Sequence, residues 1–339
     1  MTPKPSIDPA TFRQRYAIES MAGGGLLVDL TSGSYFRLNA SAVEICRALL
    51  EGLDAVEVAA QLARKLACAP QEAAELLRSM ETALDTSPMR EDPIGPFRYV
   101  RGLDSYDLSE QGRSILTVDV QGQHLRLCVA LRELNYPILD YVRAIAPKIL
   151  RLRGIPILHA SACILPNGAL TGFSGKSGAG KTTTAAAFQA AGADLVSEDL
   201  VVLSATGKLV AYLKGEQIVH AWAARAAEVL LERPDAVVRC DELSSAAESA
   251  TTPLSAIWFV DAGRREGAGF QLRRLSTIDG FVALLGQSFL AAADAESLQR
   301  HLGHTRRVAE EVVLLEATAP NGLGQLASAV RDQSANSAS

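Results

Sequence analysis

Residues 168–192 read GALTGFSGKSGAGKTTTAAAFQAAG, and within them Gly175-Lys-Ser-Gly-Ala-Gly-Lys-Thr182 fits the pattern G-x-x-x-x-G-K-[ST]. An apolar run precedes the glycines and a helix-forming, alanine-rich run follows them, so the stretch predicts strand, loop, helix. Glycines at 175, 178 and 180 permit turns and a close backbone approach that a side chain would obstruct. The helix beyond the loop presents unpaired N–H groups and partial positive charge to an anion. Lys181 can reach terminal phosphates, and the Thr182 hydroxyl suits Mg²⁺. At average composition the four fixed positions recur by chance in about one chain of this length per hundred. The flanking strand and helix signals lower that further. The expectation is a nucleoside triphosphate site.

Upstream, IPILHASACIL (155–165) and ALTGFSG (169–175) read as strands on either side of the turn Pro166-Asn-Gly168. Before them come a hairpin, SILTVDV and HLRLCVAL, turning near Gln121-Gly122, and a helix at 137–154 interrupted or kinked at Pro147. Downstream, the loop helix runs over about 181–191 with Gly192 as its C-cap. ADLVSEDLVVLS (193–204) then reads as a strand carrying two adjacent acids. PLSAIWFVDAG (253–263) is a buried strand, FQLRRLS another, and 278–311 is mainly helical.

The N-terminal part has a different grain. Residues 1–11 form a loose arm, and strands follow at YAIES, GGGLLVDL and SYFRLN, with TSGS (31–34) as a turn. Ser41-x-x-Glu44 is a capping box for the helix SAVEICRALLEG, ended by Gly52. Two more helices follow at 55–67 and 70–84. Residues 12–85 are thus a unit of three strands and three helices, 86–99 a linker rich in proline and charge, 100–324 a second domain, and 325–339 a flexible tail.

Composition narrows the class. The 339 residues carry a net charge of −5, with 48% hydrophobic and 21% charged residues. That argues for a soluble globular protein and against a general nucleic-acid binder. The five cysteines (46, 68, 128, 163, 240) are scattered, odd in number and free of any C-x-x-C pair, as in a reducing compartment. The opening residues lack an apolar signal core, and no 18-residue uncharged stretch follows, so the expectation is cytoplasmic with no membrane association.

Two features near the loop bear on chemistry. Glu198 and Asp199 lie 17 and 18 positions after Lys181, one helix and one turn later. Adjacent acids on a regular strand point to opposite faces, so one would meet a metal and the other serve as a base towards an acceptor hydroxyl, unless the strand is distorted. Flanking LVS and LVVL make a merely solvated acid pair costly. His159 in its apolar strand reads, by itself, as a hydrogen-bonded core residue. The Arg-Arg pairs at 264–265, 273–274 and 306–307 read as solvated surface, any one of which suits a carboxylate or phosphate.

The run HASACILPNGALTGFSGKSGAGKTTTAAAFQAAGADLVSEDLVVL (159–203) resembles the catalytic core of the HPr kinase/phosphorylase family, which shares its fold with phosphoenolpyruvate carboxykinases. The resemblance implies an α/β P-loop kinase domain built on a mixed sheet, using ATP and Mg²⁺. It assigns phosphate binding to Gly175, Lys176, Ser177, Gly178, Ala179, Gly180, Lys181, Thr182 and Thr183. It assigns Mg²⁺ to Thr182 and Asp199, the base chiefly to Glu198, and an active-site role to His159 beside Lys181. Glu198 stands where the family has aspartate, Lys176 where it has an acid, and the downstream phosphorylase signature is absent.

LLVDLTSGSYFRLNASAVEICRALLEG (26–52) resembles the PqqD family, small winged-helix-like domains that bind leader segments of ribosomally made peptides. That implies strand addition of a peptide in a groove formed by LLVDL, SYFRLN and the 70–84 helix. Together the two resemblances, which are also those of lasso-peptide precursor kinases, imply a kinase for a serine-type hydroxyl of a precursor peptide recruited by residues 12–85. A kinase of a small hydroxylated metabolite and a nucleotide-gated peptide chaperone remain alternatives, and a homo-oligomer stays open.

Overall fold

Helix α1 (Pro9–Arg15) opens the described chain with proline at its first position, where the missing N–H costs nothing. The computed structural model describes residues 9–21, 24–29, 35–66, 68–86, 97–101, 104–176, 178–261, 271–289 and 295–318. Phe12 is buried, so the expected loose arm is corrected: residues 9–11 belong to a helix that anchors the unit. The rest of that arm, the TSGS turn, Ser177 and the expected tail at 325–339 lie outside the described residues.

Strands β1 (Tyr16–Met21), β2 (Gly24–Asp29) and β3 (Tyr35–Leu38) form an antiparallel sheet in that order. Helices α2 (Ala40–Glu51), α3 (Ala55–Leu66) and α4 (Pro70–Thr86) follow. Every residue of β2 is buried, and Leu27, Leu38, Ile45 and Leu49 share one core with Val58, Leu62 and Leu77 from the later helices. Asp29 is buried and accepts two bonds from Arg15, at 3.0 and 2.8 Å.

The expected capping of α2 is corrected here. The N-cap of α2 is Asn39, whose side chain accepts from Ala42 N at 2.9 Å; Glu44 is drawn away by Lys65 and Arg47, so Ser41-x-x-Glu44 is not the capping box. A reciprocal box forms one helix later, where Asp54 accepts from the N–H of Val56 and Glu57 and Glu57 accepts from Asp54 N. The helix packed most closely on the sheet is α2, while α4 packs on α3 and α2.

The chain divides by contacts into Met1–Asp92 and Pro93–Ser339. The second unit starts earlier than the linker boundary expects, because Phe97–Arg101 is already a strand, β4. With β5 (Ser105–Glu110), β6 (Arg113–Asp119) and β7 (His124–Leu127) it makes an antiparallel meander, β6 and β7 joined by the expected turn at Gly122. Helix α5 (Ile138–Leu152) runs on through Pro147.

The larger sheet holds β8 (Ile157–Ile164), β9 (Leu170–Ser174), then, after helix α6 (Lys181–Ala190), β10 (Asp194–Ser197), β11 (Leu200–Val202) and β12 (Val210–Tyr212). Helix α7 (Gly215–Glu232) leads to β13 (Val237–Arg239), which closes the meander's edge beside β7. The larger sheet is completed by β14 (Thr251–Asp261), β15 (Gln271–Arg274) and, after α8 (Thr277–Leu285) and α9 (Ala295–Glu311), β16 (Val313–Thr318). Its order is β10-β8-β9-β14-β16-β15, with β11 on β8 and β12 on β14. β9, β14 and β16 are parallel and the remaining pairings antiparallel, so the fold is α/β with a mixed sheet.

Helices α5 and α7 fill the main core with the meander, burying Tyr141, Ile145, Ile149, Trp222 and Leu230. A second cluster fastens α6 to the sheet: Phe173 of β9, Phe188 of α6 and Trp258 of β14 have ring centroids 4.7–5.8 Å apart. Such pairs contribute about 0.5–1.5 kcal/mol each beyond their area. All five cysteines are free. Among the described residues no helix is long and apolar enough to cross a membrane.

Candidate functional site

The Gly-rich loop lies where β9 ends and α6 begins, outside the carboxyl ends of the parallel strands β9 and β14, the edge at which open α/β sheets bind ligands. Gly175 has φ 149°, and a Cβ there would lie 2.5 Å from the Val260 carbonyl. The strand neighbour therefore admits only glycine. Gly178 and Gly180 have φ 78° and 91°, so the loop turns through two left-handed positions before the helix.

Lys181 is buried on the first turn of α6, its Nζ donating to the carbonyls of Gly175 at 3.0 Å and Lys176 at 3.4 Å. Its ammonium is thus held in the curl of the loop. Burial lowers its pKa, and the Asp199 charge opposes that shift. Ala179 N donates to Lys176 O, and the N–H and hydroxyl of Thr184 both donate to Gly180 O. Thr182 and Thr183 are exposed on the same first turn, whose N–H groups lack acceptors within the helix.

The acids are presented differently from a regular strand. Glu198 and Asp199 occupy a break between β10 and β11, both of which pair with β8. The cause is Glu216, buried at the start of α7. Its Oε2 accepts from Glu198 N at 2.8 Å, and its Oε1 accepts from Asp199 N at 2.8 Å and Leu200 N at 3.1 Å. Consecutive N–H groups in a strand point to alternate sides, so one carboxylate can gather three only where the strand is broken. Ser161 Oγ donates to Glu198 O, and Leu200 N also meets Ser197 Oγ. The expectation of acids on opposite faces of one strand is corrected to a two-residue turn held by Glu216.

His159 pairs with Leu200 across β8 and β11, one residue before the pairing of Ala160 with Ser174 of β9. Its Nε2 lies 2.9 Å from Asp199 Oδ1, with its side chain 14% exposed and that of Asp199 66%. The hydrogen bond to His159 is the main force holding the Asp199 carboxyl below its usual range, helped by the charges of His159, Lys181 and His220 and opposed by burial. The backbone of His159 is fixed as well: its N–H donates to Gln287 O and its carbonyl accepts from Ser174 Oγ. Phe289, at a non-glycine φ of 52°, lies 5.7 Å from the imidazole.

Three of the residues expected to act together, His159, Asp199 and Lys181, converge beside the loop. Glu198 is exposed on the same turn and its carboxylate joins neither His159 nor Lys181. The pair Arg273–Arg274 is on β15, where Arg273 binds Glu316, and Arg307 binds Glu311 and Gly207 O, so these arginines serve other partners. Arg264 and Arg265 lie outside the described residues. The residue that sequence reasoning missed is Glu216. Its only local signal is an acid opening a helix, which occurs for ordinary dipole reasons.

A phosphate group fits this loop: a cradle that a Cβ would fill, a buried ammonium at its mouth, and a helix N-terminus with free donors. Among the described residues no three His, Cys, Asp or Glu side chains cluster as a metal site. Mg²⁺ beside phosphates needs no such cluster, since one or two carboxylates suffice with the phosphate oxygens. No protein-family model matches the chain, and no curated protein sequence matches it significantly.

Proposed function

We propose that this chain is an ATP-dependent kinase of the cytoplasm that transfers the γ-phosphoryl group to a serine-type hydroxyl of a ribosomally made precursor peptide. The reading rests on one juxtaposition: the His159–Asp199 pair stands beside the loop that holds Lys181, on a turn fixed by Glu216. A site that only sensed nucleotide would need no such constellation. The free thiols accord with a reducing compartment.

In this reading the loop N–H groups and Lys181 hold the β- and γ-phosphates. Thr182 and Asp199 would hold Mg²⁺, which supplies charge neutralisation on the phosphate oxygens. A carboxyl kept ionised by His159 suits that role. Glu198, exposed on the same turn, accepts the proton of the acceptor hydroxyl. The hydroxyl oxygen forms a bond to the γ-phosphorus, the bond to the bridging β–γ oxygen breaks, and ADP leaves with the electron pair. Lys181 balances the charge that collects on the leaving group.

The N-terminal unit supplies the peptide site. Its three-stranded sheet has β1 and β3 at its edges, and an extended leader added to either would pair through its backbone. The decisive experiment incubates the full chain with γ-labelled ATP, Mg²⁺ and a library of leader-bearing peptides. Labelled serine in a peptide, lost in Glu198→Gln while nucleotide binding stays, is the expected result. ATP bound with no label passed to any peptide or small hydroxylated compound would refute a kinase and favour a peptide chaperone.

A further inference from the structure

Between α8 and α9 the chain passes His159 in three consecutive residues, each of them held. Gln287 O accepts from His159 N at 2.8 Å. Ser288 is buried, its Oγ donating to Leu285 O at 3.1 Å and lying 2.9 Å from Nε2 of the buried His301. Phe289 is buried in the main core, and its ring centroid is 5.7 Å from that of the His159 imidazole, at a tilt of 44°.

The Ser288–His301 pair has the spacing of a nucleophile and its base, but the polarity is reversed. Arg151 Nε, at the end of α5, donates to His301 Nδ1 at 2.9 Å. A guanidinium only donates, so Nδ1 accepts, Nε2 carries the ring proton, and that proton goes to Ser288 Oγ. His301 therefore takes no proton from the serine. Burial, with the charges of Arg151 and Lys148, holds its pKa well below the ordinary value and keeps the ring neutral. The pair is a strut: α5 and α9 fix Ser288 through its side chain, and Ser288 fixes its two neighbours.

That anchoring bears on a strained backbone. Phe289 has φ 52°, a left-handed conformation that crowds an L-residue and that glycine adopts freely. Strain of this kind persists where surrounding contacts over-determine it, and it collects at functional sites. Glycine would relieve the backbone but remove the ring. The ring lies beside His159, whose Nε2 is 2.9 Å from Asp199 Oδ1. With the Asp199 side chain 66% exposed, water competes for that bond. An aromatic ring packed beside the imidazole restrains it without such competition.

We propose that Phe289 is a positioning residue of the candidate site. Held left-handed by the Ser288–His301–Arg151 strut, its ring confines the His159 imidazole to the one rotamer that directs Nε2 at Asp199. The effect on phosphoryl transfer rests on the kinase reading; the effect on the imidazole rests on this geometry alone.

The test uses the full chain with ¹³C,¹⁵N-labelled histidine. Wild type is compared with Phe289→Met, which keeps bulk and loses the ring, with Phe289→Tyr, which keeps the ring, and with Leu116→Ala, a loss on β6 in the same core. In the wild type His159 should show one side-chain rotamer and nuclear Overhauser contacts to the Phe289 ring. Phe289→Met should leave it averaging over several rotamers, with phosphoryl transfer about tenfold slower at unchanged nucleotide affinity. Phe289→Tyr and Leu116→Ala should match the wild type in both respects. Should Phe289→Met fail to fold, the wild-type contacts and Phe289→Tyr carry the test. A fixed rotamer or undiminished transfer in Phe289→Met, averaging in the wild type or in Phe289→Tyr, or equal averaging in Leu116→Ala would each overturn the role and leave Phe289 as core filling. A wild type that transfers no phosphoryl group while its imidazole behaves as stated sinks the kinase and leaves the positioning in place.

Discussion

Replacing Glu216 with glutamine tests the device that shapes the acid-bearing turn. The carboxylate accepts three backbone N–H groups, two on Oε1 and one on Oε2. A glutamine can keep its oxygen towards Asp199 and Leu200, but its amide then confronts the N–H of Glu198. One charge-assisted bond, about 1.5–3 kcal/mol, is lost and two donors face each other in a buried place. The two remaining bonds weaken because their acceptor is neutral. Removing a buried charge returns part of this, so the expected loss of stability is about 2 kcal/mol. Urea unfolding followed by tryptophan fluorescence measures it cleanly, because the chain's two tryptophans, Trp222 and Trp258, both belong to the Pro93–Ser339 unit. The midpoint should fall with the slope unchanged, and the amide resonances of residues 198–200 should move most. Phosphoryl transfer should slow more than tenfold while nucleotide affinity holds. A stability change under about 0.5 kcal/mol with unmoved amides would refute the three-bond clamp, whatever the activity.

Lys181→Ala should abolish ATP turnover while the far-ultraviolet spectrum is retained; wild-type turnover would remove the loop from the chemistry. His159→Gln should raise the Asp199 pKa towards the ordinary carboxylate value, because the hydrogen bond from His159 is the chief cause of its depression. With a folded pKa below the unfolded one, the stability from this group is present above about pH 4 and is lost as pH falls through the folded pKa. An NMR titration of Asp199 that is unchanged in the variant would contradict the pairing. Deleting residues 12–85 should raise the peptide KM strongly and spare nucleotide binding, since tethering raises the local concentration of the acceptor segment; an unaltered KM would reduce that unit to a structural cap.

Local signals carried much of the fold. The loop glycines, the helix beyond them and the apolar run at 253–261 all stand where periodicity and turn chemistry put them, because each is decided within a few residues. What escaped was decided at a distance. β16 is a parallel neighbour of β14 in the middle of the sheet, yet VLLEAT alternates too little to distinguish it from the end of the preceding helix. The 18-residue α7 has only a diffuse apolar face, half of its buried positions being alanine or glycine. The cap of α2 moved to Asn39 because Lys65 and Arg47 compete for Glu44, a contest that spacing within one helix does not reveal.

The candidate site divides along the same line. The Gly-rich loop is legible because its glycine and lysine pattern is contiguous, and the spacing of Glu198–Asp199 from Lys181 is legible because only one helix intervenes. The state of those acids is not, since it depends on residues 40 positions upstream and 17 downstream of Asp199. His159 converts one acid into a held, ionised partner, and Glu216 breaks the strand so that both acids stand on one turn. An isolated histidine in an apolar strand and an acid at a helix start are each ordinary by themselves. They acquire meaning through β8, which pairs with β9 on one side and with β10 and β11 on the other. That strand brings the loop, the histidine and the acids to one edge of the sheet.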